Sequence, residues 1–134
     1  MTPFPLKIVI PDGSKFDGQV EELVVRTTTG DLGILAGHIN LVAALGMGRA
    51  TVIQEGKKRY GACIGGMVSV INGQVSLVPT SFEWAEDIDT ARAEASMQRA
   101  KHTLSDKSSS DTDLRLAEAR LRRALVRKGV ASMK

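Results

Sequence analysis

The residues best equipped for chemistry are arginines in the last third of the chain. Arg92 and Arg99 are seven positions apart, so on a helix they share one face, and Ala95 and Ser96 between them supply no counter-charge. Arg120, Arg123 and Arg127 follow at i, i+3 and i+7. Two such stripes on neighbouring helices can converge on phosphates, which arginine holds by paired, charge-assisted hydrogen bonds. The same spacing also suits a solvated basic face. Asp89, three residues before Arg92, fits an exposed ion pair of little energetic weight.

A second feature is Gly30-Asp31-Leu32-Gly33-Ile34-Leu35-Ala36-Gly37-His38, where three glycines in eight residues predict an unusual backbone path, structural or functional. Other chemistry is missing. The chain has no G-x-x-x-x-G-K-[ST] phosphate loop, no G-x-G-x-x-G fingerprint and no G-x-S-x-G elbow. His38 and His102 are the only histidines, and Cys63 is the single cysteine, so no zinc cluster is expected. Glu21-Glu22 reads as a solvated pair on a strand. With no nucleophile or acid–base set in view, the chain is expected not to be an enzyme, and no metal is expected.

Two kinds of segment must position these residues. Up to about residue 80 the chain reads as short strands: Leu6–Ile10, Val20–Val25, Leu41–Leu45, Ala50–Gln54, Arg59–Ile64, Met67–Ile71 and Val75–Val78. Turn signals punctuate them at Pro11-Asp12-Gly13, Thr29-Gly30-Asp31, Gly46-Met47-Gly48, Glu55-Gly56-Lys57 and Asn72-Gly73. The pattern predicts a β-sandwich or flattened barrel with an aliphatic core, since only 4% of residues are aromatic.

From about Ala85 glycine disappears until Gly129, and Ala, Arg, Glu and Leu take over. Asp87 can cap a first helix with Ala93, Met97, Ala100 and Leu104 on one face. Ser105–Ser110 is a polar connector. Asp111 or Asp113 caps a second helix carrying Leu114, Ala117, Leu121 and Leu125, with Arg127, Lys128 and Gly129 at its end. The expected architecture is therefore a sandwich over residues 1–85 and an antiparallel two-helix hairpin over 86–134. A seam so rich in alanine buries little apolar area, so the hairpin is expected to be weakly held and mobile.

Charge divides along the same line. Residues 1–85 carry seven basic and seven acidic side chains, 86–104 three and four, and 105–134 eight and four. The whole positive excess sits in the last thirty residues, which suits an anionic partner. No aromatic residue follows Trp84, which disfavours a single-stranded nucleic-acid surface. No apolar run approaches the ~20 residues of a membrane span. No secretory signal is read at Met1–Pro5, and the lone cysteine fits a reducing compartment.

Taken in order, Pro11-Asp12-Gly13 with Phe16 and Gly18, Gly30-Asp31-Leu32-Gly33-Ile34-Leu35 with Gly37-His38, Gly65-Gly66 with Val68 and Val70, and Ile88-Asp89-Thr90-Ala91-Arg92-Ala93 cover nearly the whole chain. In this the chain resembles the epsilon subunit of bacterial rotary (F-type) proton-translocating ATP synthases, with Ala36 and Asn40 where that family often has proline. The resemblance implies a regulatory and coupling subunit of the central stalk, peripheral on the cytoplasmic face of the membrane. Its partners would be the gamma subunit, the membrane ring of c subunits and the catalytic alpha and beta subunits, with neither nucleic acid nor direct membrane insertion. Asp31, His38 and Val42 match positions that face the ring. The hairpin would permit ATP hydrolysis when folded and inhibit it when extended, through a basic face of Arg115, Arg120, Arg122, Arg123 and Arg127. The resemblance also implies ATP as a regulatory ligand of the folded arm, with or without Mg²⁺, held by Glu83, Ile88, Asp89, Arg92, Arg99, Arg123 and Arg127.

Overall fold

The computed structural model of the chain describes residues 1–133. It divides into two compact units, Met1–Trp84 and the segment from Ala85 onward.

The first unit holds ten strands: β1 (Phe4–Ile10), β2 (Gly13–Val20), β3 (Glu22–Thr27), β4 (Gly30–Ile34), β5 (Leu41–Ala44), β6 (Met47–Gln54), β7 (Lys57–Ile64), β8 (Met67–Ile71), β9 (Gln74–Val78) and β10 (Ser81–Trp84). They form two five-stranded sheets, β2-β1-β9-β8-β5 and β10-β7-β6-β3-β4. All pairings are antiparallel except β1 with β9. Alternation supplies the core. Phe4, Leu6 and Ile8 on β1, Leu23 and Val25 on β3, Val68 and Val70 on β8, and Val75 and Leu77 on β9 all point inward and are buried together. This is the expected sandwich. At one end of the aliphatic core stands an aromatic group, with Trp84 meeting Phe82 at 4.9 Å and Phe16 at 6.1 Å, both edge-on.

Several local expectations change. The run Val20–Val25 is not one strand: Val20 ends β2 in the first sheet, Glu22 opens β3 in the second, and the chain crosses between them at Glu21. Glu21 is not merely solvated there, because its carboxylate accepts the Glu55 amide at 2.6 Å. The glycine-rich stretch is half strand, since Gly30–Ile34 is β4, and only Gly30 and Gly37 of its three glycines after residue 29 have positive φ. Gly46-Met47-Gly48 is not a free turn, because Met47 and Gly48 already belong to β6. The two-residue turn expected at Asn72-Gly73 is present, and the turn expected at Glu55-Gly56-Lys57 is made by Glu55-Gly56 with Lys57 already in β7; both turns have positive φ at their two central positions, which matches the twist of the strands they join.

The second unit opens with a 3-10 turn, Ala85–Asp87, followed by helices α1 (Thr90–Ser105) and α2 (Asp111–Ala131). The cap of α1 is Asp89 rather than Asp87, its carboxylate accepting the Arg92 amide at 3.0 Å. The cap of α2 is Ser110, neither Asp111 nor Asp113. Ser110 and Asp113 form a reciprocal capping box. Gly129 does not end α2, which continues to Ala131. Ala93, Met97 and Ala100 on α1, and Ala117, Ala124 and Ala131 on α2, are buried. Leu125, expected on the packed face, is 51% exposed, and Ala124 takes its place.

Candidate functional site

The arginine stripes are set by the helices that carry them. On α1, Thr103 lies four residues beyond Arg99 on the same face. At the tip of the hairpin a groove is lined by Thr103 from α1 and by Leu116 and Arg120 from α2, with Ser109 closing it. The Arg92–Arg99–Thr103 face of α1 therefore adjoins the Arg120–Arg123–Arg127 face of α2. An ion pair across the seam between Glu94 and Lys128 marks the register of the two helices. Arg99 lies five residues on from Glu94, and Arg123 five residues back from Lys128, so the two stand at the same height on antiparallel helices. Arg92 and Arg127 differ in height by about 4.5 Å at ~1.5 Å per residue.

Arg92, Arg99 and Arg123 are exposed, and none has an ion-pair partner among the described residues. Three like charges on one side of a hairpin repel each other, and an anion placed among them relieves that repulsion. Arg127 is half-buried on the same side. Asp89 is fixed at the helix start by its cap to the Arg92 amide, so its anchor is backbone rather than the Arg92 guanidinium.

The remaining two residues of the expected set are Ile88 and Glu83. Ile88 is buried, which leaves only its backbone to meet a ligand, and its amide already donates to the Ala85 carbonyl at 3.3 Å. Glu83 belongs to the sandwich, on β10 opposite Ala62. The five arginines expected as one inhibitory face do not share a face. Neighbouring residues on a helix point about 100° apart, so Arg122 diverges from Arg123. Arg115 and Arg122, seven apart, form a second stripe away from Arg120, Arg123 and Arg127.

The expected docking residues lie along one edge of the sandwich, where β4 gives way to β5 and the chain passes between sheets. Asp31 is on the outer side of β4 and pairs with Arg26 at 3.2 Å. Val42 is 57% exposed on the outer side of β5. His38 sits in the loop between them, and its Nδ1 lies 2.8 Å from the Ile39 carbonyl, which makes Nδ1 the protonated nitrogen. Ile39 itself is 78% exposed, a candidate contact that sequence reading passed over. The loop is tied down where proline is missing: the Asn40 side-chain oxygen accepts the Asn72 amide at 2.8 Å.

Glu94 and Lys128 were also missed in the sequence. Hydrogen bonds from Lys128 first and Gln98 second hold the Glu94 carboxyl below the usual carboxylate range. Burial pushes the Cys63 thiol up to about 12, which makes it inert at neutral pH. No group of side chains suited to a metal ion occurs among the described residues, and no helix there is long and apolar enough to cross a membrane.

Comparison with known proteins places both units in one family. Residues 3–85 match the model of the ATP synthase Delta/Epsilon chain beta-sandwich domain, and residues 86–131 match that of its long alpha-helix domain. The chain is 42% identical to the ATP synthase epsilon chain of Bacillus velezensis over 131 residues, covering 98% of each. It is 40% identical to that of Shouchella clausii over 134 residues, covering 100% of this chain and 98% of the relative. Its fold resembles a chain in the Euglena gracilis mitochondrial ATP synthase, with a TM-score of 0.84 at 23% identity, covering 100% of this chain and 83% of that one. The chain thus belongs to the ATP synthase epsilon-chain family, with that family's sandwich and helical domains in order along its length.

Proposed function

We propose that this chain is a non-catalytic coupling and regulatory subunit of a rotary ATP synthase, and that its helical hairpin is a nucleotide-responsive arm. The observation that carries the arm's role is the convergence of Arg92, Arg99 and Arg123 across the seam without partner charges. A nucleotide polyphosphate is the ligand that such a face fits, with Asp89 and the backbone at Ile88 near its α1 end and Arg127 beside it. Mg²⁺ would arrive with the nucleotide, since the described residues supply no metal cluster.

The sandwich edge carrying Asp31, His38 and Val42 is the proposed contact with the ring, and the sandwich as a whole links it to the gamma subunit. When the hairpin opens, the arginine faces become available to acidic surfaces of the catalytic alpha and beta subunits, which stops hydrolysis. ATP at ~100 times its dissociation constant favours the closed arm by ~2.7 kcal/mol, roughly a hundredfold in population. The localisation that follows is peripheral, at the cytoplasmic face of the membrane.

Calorimetric titration of ATP into the full chain tests the site. The wild-type chain is expected to bind, and Arg92→Ala and Arg123→Ala to bind at least about tenfold more weakly, as fits loss of a charge-assisted hydrogen bond. Equal binding by both variants would refute it and favour a purely structural coupling subunit.

A further inference from the structure

The proposed nucleotide face needs two helices in one register, and the apolar seam specifies that register poorly. Ala93 and Ala100 on α1 and Ala117, Ala124 and Ala131 on α2 are all buried. Every one of these is the same small residue at heptad spacing, so the seam has little shape to distinguish one rotation or sliding position from another. Met97 is the one large buried side chain of α1. Two polar features break the degeneracy. At the tip, the Ser109 hydroxyl donates to the Thr103 carbonyl at 2.9 Å. At the far end, Lys128 reaches across to the Glu94 carboxylate and lies 3.9 Å from the Met97 sulfur. The second Glu94 oxygen accepts from Gln98 at 3.0 Å, which holds the carboxylate in place on its own helix.

We infer that the Glu94–Lys128 pair is a latch that positions Arg99 and Arg92 against Arg123 and Arg127, and that it tunes nucleotide affinity without touching nucleotide. This rests on the nucleotide reading above. Neither residue belongs to the arginine faces. Glu94 is two positions from Arg92, on the far side of α1, and Lys128 follows Arg127 by one position on the seam. With the latch shut, the open ends of the helices are pinned and the guanidinium groups are preorganised. With it broken, the hairpin is held by the tip and by an apolar seam that fixes its register poorly, and part of the binding free energy is spent on restoring that register.

The test is a double-mutant cycle on the full chain with Glu94→Gln, Lys128→Gln, the pair together, and Lys128→Arg as the conservative control. Amide exchange at Ser96–Ala100 and Ala124–Lys128 is read without nucleotide, and ATP affinity by calorimetry. Each single variant is expected to speed seam exchange and weaken ATP binding about two- to fivefold, the range of a partly exposed ion pair. The double variant should be no weaker than the worse single one. Lys128→Arg should stay near wild type, and the differences should shrink at ~1 M salt. The inference is overturned if the wild-type chain binds ATP and the single variants match it, or if the double variant shows the product of two independent losses. If the wild-type chain binds no ATP, the nucleotide reading itself falls, and the latch's role towards nucleotide falls with it.

Discussion

The indole Nε1 of Trp84 donates a hydrogen bond to the Lys15 carbonyl at 3.1 Å, joining the last residue of the sandwich unit to a strand 69 positions earlier. The Arg59 guanidinium stands 3.8 Å from the ring centre on the same indole. The sandwich thus closes on itself at the point where the chain leaves it. Trp84→Phe keeps the aromatic packing but removes the donor, leaving the Lys15 carbonyl unpaired. It should lower sandwich stability by about 1–3 kcal/mol in urea melts. An unchanged midpoint would mean that water replaces the indole.

Close backbone packing at two glycines predicts larger effects. A Cβ at Gly61 would overlap the Phe82 ring. One at Gly66, where φ is +90°, would stand 2.6 Å from the Pro79 Cα and meet the Val78 carbonyl oxygen. Gly61→Ala should cost about 1–3 kcal/mol as Phe82 is displaced. Gly66→Ala adds backbone strain to the overlap and should cost more. Thermal unfolding of the two variants should fall in that order.

The capping box at the start of α2 is a separable contribution. Ser110→Ala should cost the hairpin about 1 kcal/mol and speed amide exchange over the first turn, residues 111–114, with the sandwich unchanged. Asp111→Ala should do less, because Asp111 is not the cap.

Acid should loosen the hairpin. The Glu94 and Asp106 carboxyls are both held below their ordinary values, Glu94 chiefly by Lys128 and Asp106 chiefly by the Ser108 amide. A depressed carboxylate stabilises the fold fully above its ordinary value near pH ~4. That contribution is lost as pH falls through the lowered folded value. Seam exchange should therefore accelerate below about pH 4, and Glu94→Gln should flatten that response.

Cys63 offers a control on the sandwich. Its buried thiol should resist alkylation at pH 8 in the folded chain and react on unfolding in guanidinium. Rapid labelling under native conditions would show that the sheet opens.

Much of this was legible in the sequence because period and punctuation agreed. Asn72-Gly73 between alternating strands, and the change of composition at Ala85, each predict what is found. Where punctuation misled, tertiary structure had overridden it. Gly30 and Gly33 look like loop residues, yet β4 pairs through both, and the missed β3–β4 pairing would have disclosed Arg26 opposite Asp31. β10 is a four-residue strand whose identity depends on pairing with β7, a contact no local pattern carries. Asp87 and Asp89 are equally good caps by type, and the preceding 3-10 turn selects the second. The leucine stripe of α2 suggested Leu125 inside, but close packing of the helices prefers Ala124. The arginine faces could be read from spacing alone. Their relative height could not, because Glu94 and Lys128 lie 34 positions apart.

The arm's proposed role as a brake is tested most directly by ATP hydrolysis in a catalytic complex depleted of its epsilon subunit. Full-length chain, or residues 1–84 alone, would be added back, the latter carrying the complete sandwich core. Only the full-length chain is expected to suppress hydrolysis, and Arg123→Ala to weaken the suppression. Equal suppression by both, or by neither, would contradict it and leave the sandwich as the functional part of the molecule.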